Sequence, residues 1–304
     1  IQEKYGDEST LTLSQVPALK IIKKNDFKVA IHTVNLTAGD AHINTMDLKG
    51  PIKLISKLLF GWSGPRQKVR GISGSGIVSE VGPEVTRFKV GDAVTFIQSL
   101  HAGVCADEVI LNEKRTVQKV DPAMLKEAST LPFGYLSAMH FIHEDSIKSG
   151  MKVLILGASG SVGSAALDIA KHLGAQVTAV LRSKNVEAIS PLSPDQWLDY
   201  QSEDFKHPKP IYDVVFDAVN RYSKKTAKAW LKPGGQWMSI KSPTKESAQK
   251  LRQLIGWLEK GKIHPIIEHV YPQSEYKKAH QHLYSGRKVG NVLINWLDAA
   301  HSSN

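Results

Sequence analysis

Apolar residues follow two different spacings along this chain. In the first part they form short runs, at residues 29–34, 76–81, 93–97 and 106–111, which Gly, Pro and Asp separate. Such runs are typical of short strands joined by tight turns. The pattern favours a compact β-barrel over helices in this part of the chain.

The spacing changes near Asp121. Helical spacing appears at residues 124–131 and 135–144, and strands and helices then alternate. The predicted strands cover 153–156, 177–181, 214–216 and 236–240, and the predicted helices cover 161–173, 223–231 and 246–259. This alternation predicts a parallel sheet with helices on both faces.

After Gly261 the pattern is β-like again, with strands predicted at 266–270 and 292–296 and a helix at 274–284 between them. We interpret this tail as the return of the chain to its first domain. The expected architecture is α/β. Residues 1–120 and 263–304 form the barrel domain, and residues 121–262 form a doubly wound dinucleotide-binding domain.

A glycine-rich turn connects the predicted strand at 153–156 to the helix at 161–173. Its glycines, Gly157, Gly160 and Gly163, permit a tight turn and a close approach of the backbone to a pyrophosphate, which the helix N-terminus then faces. The flanking strand and helix favour this interpretation over a turn whose small residues serve only packing. The turn residues expected to contact the cofactor are Ser159, Gly160, Ser161 and Val162.

The end of the second predicted strand indicates which dinucleotide binds. Sites specific for NAD place a carboxylate there to bond the ribose 2′-hydroxyl. This chain has Arg182, Ser183 and Lys184 instead, which can donate to a 2′-phosphate. The sequence therefore favours NADPH. The alternative is that these are solvated loop residues and that NADH is accepted as well.

Composition limits the possible partners. The net charge of +10 fits either a lysine-rich solvated surface or attraction to an anionic ligand. Without a block of like charges or an aromatic-basic motif, the sequence does not favour a nucleic-acid partner. Apolar runs fall short of the roughly 18 residues of a membrane helix, so we expect no membrane partner. Because the chain does not open with methionine, we expect it to begin inside a longer reading frame.

With these features in place, the chain resembles the zinc-independent, quinone-oxidoreductase-like branch of the medium-chain dehydrogenase/reductase superfamily. The resemblance covers nearly the whole chain. The matching runs are TAGD at 37–40, GISGSGIV at 71–78, VG at 81–82, RFKVGDAV at 87–94, LPF at 131–133, SA at 137–138, GASGSVG at 157–163, LDY at 198–200, FDAV at 216–219 and GNVL at 290–293.

The resemblance implies a GroES-like barrel and a Rossmann domain, with hydride transfer from the nicotinamide to a quinone, an enone or a related carbonyl. Zinc-dependent relatives carry a Cys where Thr37 stands and a His where Ile72 stands. A four-cysteine structural zinc site is also excluded, since Cys105 is the only cysteine. A single cysteine further excludes an internal disulfide and suits the cytoplasm.

The resemblance also suggests which residues act on the substrate. Thr37 is the first candidate hydrogen-bond donor to the developing oxyanion, and His42 could supply a proton or be an ordinary barrel histidine. We expect Asp40 to hold its loop through local bonds. Tyr135 stands where relatives have a small residue. It could narrow the substrate site or stack on an aromatic acceptor, or pack between helices with its hydroxyl in solvent.

Four further positions match relatives' residues near the cofactor. Ser137 matches a residue near the nicotinamide, Tyr200 one beside the adenosine phosphate, and Val219 one beside a ribose. Asn291 matches a polar residue that reaches into the cleft.

Between Ile240 and the helix predicted at 246–259 the chain is shorter than this family pattern. Relatives have another helix and strand there, often where subunits of a homodimer pair. Either the protein lacks these elements or the sequence omits a segment. The exposed sheet edge that a missing outer strand leaves favours the second explanation.

Two other functions remain open at this level. One is an NAD(P)-dependent alcohol or aldehyde dehydrogenase, against which the residues at 37 and 72 argue in its zinc form. The other is a non-catalytic NADPH-binding sensor, structural protein or RNA binder, since a fold alone does not establish turnover.

Overall fold

The computed structural model describes residues 1–48, 50–242 and 244–296. The last residues of the expected barrel domain, 297–304, lie outside this description. Within it, every helix is too short or too polar to cross a membrane. The chain forms two compact units. The first contains Ile1–Pro132, His269–Lys288 and the chain from Val292, and the second contains Phe133–Glu268 and Val289–Asn291.

The first unit is built on a mainly antiparallel sheet of seven strands. Its strands are β1 (Asp26–Leu36), β2 (Ser73–Val81), β3 (Ala93–Ile97), β4 (Glu108–Asn112), β5 (Val117–Lys119), β11 (Ile267–Pro272) and β12 (Asn291–Asn295). Six of them lie in the order β11-β12-β1-β2-β3-β5. Strand β1 is at the centre, since it pairs with β12, β2 and β4.

Every apolar run of the first part of the chain therefore lies in or overlaps a strand, as the sequence predicts. The sequence pattern did not predict the two helices that the structure has at Ala38–Thr45 and Pro51–Phe60. The helices of this unit are α1 (Ala38–Thr45), α2 (Pro51–Phe60), α3 (Leu125–Ala128) and α10 (Tyr276–Tyr284). Helix α2 begins with a proline, which suits a first helical turn.

The second unit contains the predicted parallel sheet. Its strands are β6 (Lys152–Leu156), β7 (Gln176–Leu181), β8 (Gln196–Asp199), β9 (Tyr212–Asp217) and β10 (Leu231–Ser239). They lie in the order β10-β9-β6-β7-β8, and every pairing is parallel. The central strand β6 is buried over all but its first residue, because helices and neighbouring strands exclude water from both faces.

The helices of the second unit connect these strands. The glycine-rich turn leads into α5 (Ser161–His172), close to the predicted bounds. The helix predicted at 223–231 is only one turn long, because β10 already begins at Leu231. The other helices are α4 (Leu136–Phe141), α6 (Val186–Ile189), α7 (Glu203–Lys206), α8 (Lys224–Ala227) and α9 (Ala248–Glu259).

Strand β10 forms one edge of this sheet. From its end the chain continues through residues 240–247, of which 243 is not described, directly into α9. In the described part of this unit, β10 is followed by neither the additional helix nor the strand that the family pattern contains.

Candidate cofactor site

The candidate site lies at the carboxyl ends of the parallel strands. Strand β6 pairs with β7 on one side and with β9 on the other, so the chain leaves the centre of the sheet in opposite directions. Leu156 at the end of β6 is in register with Val180 and with Asp217. The loops after these three strands therefore meet at a topological switch point, where open α/β sheets bind ligands.

The glycine-rich turn has room for a side-chain atom at one of its glycines and no room at the other two. Gly157 has a left-handed φ of +81°, and a Cβ there would collide with Val219. A Cβ at Gly163 would collide with the Gly157 carbonyl oxygen. At Gly160 the nearest atom to such a Cβ is 3.8 Å away, so the surface above this residue is open.

Helix α5 begins directly after this open position. Gly160 is its N-cap, and the cap carries no side-chain hydrogen bond. Ser161 and the half-buried Val162 form the first turn. A helix N-terminus beside an open glycine fits a pyrophosphate, because backbone N–H groups and the helix dipole both favour a negative charge there.

A later segment of the chain closes one side of the turn. The Gly290 amide donates to the Ser159 carbonyl oxygen at 2.8 Å, and the Ser161 hydroxyl donates to the Gly290 carbonyl oxygen at 2.7 Å. The buried Asn291 follows. Its amide nitrogen donates to the Ile266 carbonyl oxygen at 3.0 Å, whereas its Oδ1 has no hydrogen-bond partner. A buried acceptor without a partner is costly, so Asn291 Oδ1 is suited to accept a bond from a ligand.

Hydrogen bonds connect the loop after β7 to Tyr200 and to the glycine-rich turn. Arg182 Nε donates to the Tyr200 hydroxyl at 2.5 Å. Asn185 Nδ2 donates to Ser159 Oγ at 3.2 Å and so links this loop to the glycine-rich turn. Arg182, Ser183 and Lys184 are exposed. The structure thus brings together the cationic loop, the turn and Tyr200.

A carboxylate also lies beside this loop. Asp199, at the end of β8, accepts hydrogen bonds from both the amide and the hydroxyl of Ser183. The bond from the Ser183 hydroxyl, followed by the bonds from the Gln201 and Ser183 amides, lowers the pKa of Asp199. The NADPH preference predicted from the sequence rests on residues at the end of the second strand, whereas this charge comes from the end of the next one. The Ser183 hydroxyl is already occupied, which leaves Arg182 and Lys184 as the cationic groups of the loop.

The loop after β9 is held by a buried side chain. Asp217 accepts from the Val219 amide and from the Tyr222 amide, each at 3.0 Å. These bonds place Val219 against Gly157, while its side chain stays partly exposed. Ser137 is half-buried on helix α4, which packs against α5.

Tyr135 does not face solvent. Its side chain is buried, and its hydroxyl donates to Asp168 Oδ2 at 2.5 Å. Burial and then the neighbouring Asp168 charge raise the pKa of Tyr135. The expectation that the hydroxyl lies in solvent is therefore wrong. The ring also has no exposed face on which an acceptor could stack, so the structure gives Tyr135 a packing position.

Thr37 and His42 lie in the first unit. Thr37 is the N-cap of α1, and its hydroxyl donates to Asp40 Oδ2 at 2.7 Å while it accepts from the Asp40 amide at 3.1 Å. The expected role of Asp40 in holding its loop is confirmed. Burial raises the pKa of Asp40. His42 is exposed on the same helix.

The positions of the family's zinc ligands do not fit a metal. Ile72 is a buried hydrocarbon, and the Thr37 hydroxyl is engaged with Asp40. Burial raises the pKa of the Cys105 thiol to about 12, which disfavours the thiolate that a metal requires. Among the described residues, no three His, Cys, Asp or Glu side chains are grouped as ligands.

Sequence reasoning did not assign Asn185, Asp199 or Asp217 to the site. Asp199 and Asp217 could have been found, since each ends a predicted or family-matched strand at the edge where the cofactor loops meet. Asn185 lacks such a signal, because its contact with Ser159 depends on how two separate loops fold.

Comparisons with known proteins agree with this architecture. Residues 23–153 match the family model described as alcohol dehydrogenase GroES-like domain, and residues 234–294 match the model described as zinc-binding dehydrogenase. Together they cover more than half of the chain. The second family is named for zinc binding, whereas this chain has Thr37 and Ile72 at the positions where the resemblance places zinc ligands.

Among curated proteins, the chain is 27% identical to a 2-methylene-furan-3-one reductase of Solanum lycopersicum, over 96% of this chain and 77% of that protein. It is 26% identical to the chloroplastic NADPH-dependent alkenal/one oxidoreductase of Arabidopsis thaliana, over 97% and 78%. Among solved structures, a quinone oxidoreductase of Coxiella burnetii has a TM-score of 0.78 at 19% identity, covering 97% of this chain and 98% of that one. The fold is therefore a GroES-like domain with a Rossmann domain, as predicted.

Proposed function

The chain belongs to the medium-chain dehydrogenase/reductase superfamily, and from this membership we propose that it is an NADPH-dependent oxidoreductase that reduces a quinone, an enone or a related activated carbonyl without zinc. The observation that carries the proposal is the open position at Gly160, directly before the N-terminus of α5. The relatives named as alkenal/one oxidoreductase and methylene-furanone reductase support the substrate class.

The residues that would hold the cofactor come from the second unit. The backbone of Ser159–Val162 would bind the pyrophosphate, and Val219 would pack against a ribose. Asn291 Oδ1 would accept a hydrogen bond, and Ser137 would lie towards the nicotinamide. These roles follow from the matched positions, with support from the cradle and the unpartnered Asn291 oxygen.

The preference for NADPH over NADH rests on the loop after β7. Arg182 and Lys184 supply positive charge, and the bond from Arg182 to Tyr200 fixes one guanidinium nitrogen and leaves the others able to face a phosphate. Asp199 opposes this preference through its charge. Its bonds to Ser183 keep it engaged, so we expect the two cations to dominate.

When bound, NADPH supplies the hydride. The protein then has to orient the acceptor and stabilise the oxyanion that develops on it. For Thr37 to donate to that oxyanion, its hydroxyl has to exchange its bond with Asp40 for one with the substrate. His42 is exposed on helix α1, and we assign to it delivery of the final proton. Thr37 and His42 are therefore the proposed catalytic residues, whereas Tyr135 is buried and is not one of them.

The proposal is tested by mixing the purified protein with NADPH or NADH and a panel of quinones, enones and aldehydes, while following absorbance of the reduced nicotinamide. We expect NADPH oxidation with quinones or enones. Arg182→Glu should raise the KM for NADPH by about 10-fold or more and change the KM for NADH much less, because only NADPH carries the 2′-phosphate.

Other outcomes separate the alternatives. Tight NADPH binding without oxidation by any acceptor favours the non-catalytic sensor. Alcohol oxidation that requires added zinc contradicts the metal-free site. Equal loss of NADPH and NADH after Arg182→Glu contradicts the phosphate assignment. A cytoplasmic location and a homodimer stay predictions, which fractionation of cells and sedimentation velocity would check.

A further inference from the structure

Helix α2 presents its apolar side to solvent. Its residues Ile52, Leu54, Ile55, Leu58 and Leu59, and Trp62 just beyond it, are between 55% and 67% exposed. The buried residue of the helix is the polar Ser56, with Phe60 half-buried beside it. The usual arrangement of a surface helix is the reverse, with the apolar stripe towards the core.

The exposed apolar residues form one continuous stripe. At 3.6 residues per turn, the five aliphatic side chains cover an arc of roughly 160°. By the same spacing, Ser56 and Phe60 lie on the inward side of the helix. Going round the helix from Phe60, Lys53 and then Lys57 come before the edge of the stripe at Leu54. The helix is therefore amphipathic, but its apolar side faces away from the core of its own unit.

The charge around this stripe has one sign. From Leu48 to Ser79 the sequence contains no Asp or Glu, but has six Lys and Arg residues. Two of these are engaged elsewhere, since Lys68 pairs with Glu3 and the buried Arg70 donates to Asn44. Of the other four, Lys49 is not among the described residues, and Lys53, Lys57 and Arg66 lie at the surface of the helix and its following turn.

The chain after the helix is fixed to the first unit. The Tyr5 hydroxyl donates to the Gly61 carbonyl oxygen at 2.9 Å, and the Arg66 amide donates to the Phe60 carbonyl oxygen at 2.7 Å. Lys57 Nζ lies 5.4 Å from the Trp62 ring centroid. Trp62 is thus held beside a cation next to the apolar stripe, and indole rings favour the boundary between apolar chains and polar headgroups.

We propose that α2 and Trp62 dock the protein on an anionic lipid surface, with the aliphatic stripe entering the headgroup boundary and Lys53, Lys57 and Arg66 facing anionic headgroups. An apolar face, flanking lysines and a tryptophan are the features of helices that lie in the plane of a membrane. The expectation of no membrane partner rested on the lack of a membrane-spanning stretch. Binding to the surface of a membrane does not require such a stretch.

Charge decides between this occupant and a second copy of the chain. Two copies meeting through this face would bring like-charged lysines together on proteins of net charge +10, which opposes association. An anionic bilayer attracts the same cations, because anionic headgroups give its surface a negative potential. The inference does not depend on the proposed reaction, because binding is measured without turnover.

The test is flotation of the full chain with vesicles of pure phosphatidylcholine or of equimolar phosphatidylcholine and phosphatidylglycerol. We expect binding to the anionic vesicles and its loss as salt is raised. The double substitution Ile55→Gln with Leu58→Gln should lower the partition coefficient about 10-fold or more, since it removes two aliphatic side chains from the boundary. Lys53→Gln with Lys57→Gln should lower binding to anionic vesicles only.

The matched control is Val90→Gln with Leu100→Gln, two residues of the same unit that are 60% and 66% exposed but lie outside the stripe. It should bind like the wild type, and circular dichroism should show all variants folded. The proposal is overturned if wild type does not float with anionic vesicles, or if control and stripe variants lose binding equally. It is also overturned if sedimentation shows a dimer that the stripe variant dissolves while vesicles do not bind.

Discussion

Tyr135 shows how a single polar contact can decide what a residue does. Asp168 accepts from the Tyr135 hydroxyl and, at 2.6 Å, from the His264 amide. Burial raises the pKa of Asp168, and these two donors offset part of that effect. The Tyr135 hydroxyl is thus one of the groups that satisfy a buried carboxyl, which is a structural role and leaves no group for a substrate.

His280 leads to a prediction at the same scale. It is buried in the first unit, its Nδ1 has no hydrogen-bond partner, and desolvation followed by the Arg70 charge lowers its pKa to about 4. As the pH falls below 6.5, the ordinary pKa of a histidine, His280 takes up a proton in the unfolded chain but not in the folded chain. His280 therefore does not reduce the free energy of unfolding above pH 6.5. As the pH falls from 6.5 towards 4, that free energy decreases by about 1.4 kcal/mol per pH unit.

This dependence is measured by urea unfolding of the wild type and of His280→Phe between these two pH values. The variant lacks the titrating group, so its stability should fall less steeply over that range. His42→Phe is the matched control, since His42 is exposed on a helix of the same unit. Equal slopes for wild type and His280→Phe would show that His280 does not set the dependence.

At the scale of elements, the glycine-rich turn separates folding from binding. A Cβ at Gly157 collides with Val219 at a left-handed φ, whereas the nearest atom to a Cβ at Gly160 is 3.8 Å away, so a methyl group fits there without a clash. We predict that Gly157→Ala destabilises the second unit by about 1–3 kcal/mol. Gly160→Ala should fold normally but weaken NADPH binding about 10-fold or more, because its methyl group occupies the space proposed for the pyrophosphate.

Thermal unfolding and titration of NADPH fluorescence measure the two effects separately. Gly256→Ala is the control, because its Cβ meets no atom and it lies within helix α9, away from the turn. If Gly160→Ala binds NADPH like the wild type, the pyrophosphate does not lie above this glycine.

The elements themselves were predictable to different degrees. Strands β6, β7 and β9 are mostly buried and mainly apolar, so their short apolar runs indicate buried strands in the sequence. Helix α2 was missed, because its aliphatic residues do not face the core and the surrounding runs suggested strands. The helix predicted at 223–231 is longer than the observed α8, because Leu231 belongs to the next strand.

At the scale of the whole molecule, each unit is assembled from separated parts of the chain. Val289–Asn291 belongs to the second unit, although residues 269–288 before it belong to the first. The bonds between Gly290 and the glycine-rich turn explain this assignment. The domain limits expected at 120 and 263 stay predictions, and a proteolysis map of the folded protein would test them.

Cofactor binding should be visible in the stability of the molecule. A ligand that binds only the folded state adds about 2.7 kcal/mol at 100 times its dissociation constant. We predict that NADPH raises the unfolding midpoint more than NADH does at the same concentration. In Arg182→Glu this difference should vanish, as measured by differential scanning calorimetry. Equal midpoints for wild type with either cofactor would indicate that the loop after β7 does not distinguish them.

The sequence by itself determined the features that depend on local backbone geometry and residue chemistry. These are the alternation of strands and helices, the glycine-rich turn, and the absence of zinc ligands at Thr37 and Ile72. Each is encoded within a few neighbouring residues, so a pattern reveals it.

Only the tertiary structure decided which distant side chains meet. It buried Tyr135 against Asp168, brought Asp199 to Ser183, and turned the apolar side of α2 to solvent. These outcomes depend on how whole elements pack, since burial and long-range pairing are properties of the assembled fold rather than of any local spacing.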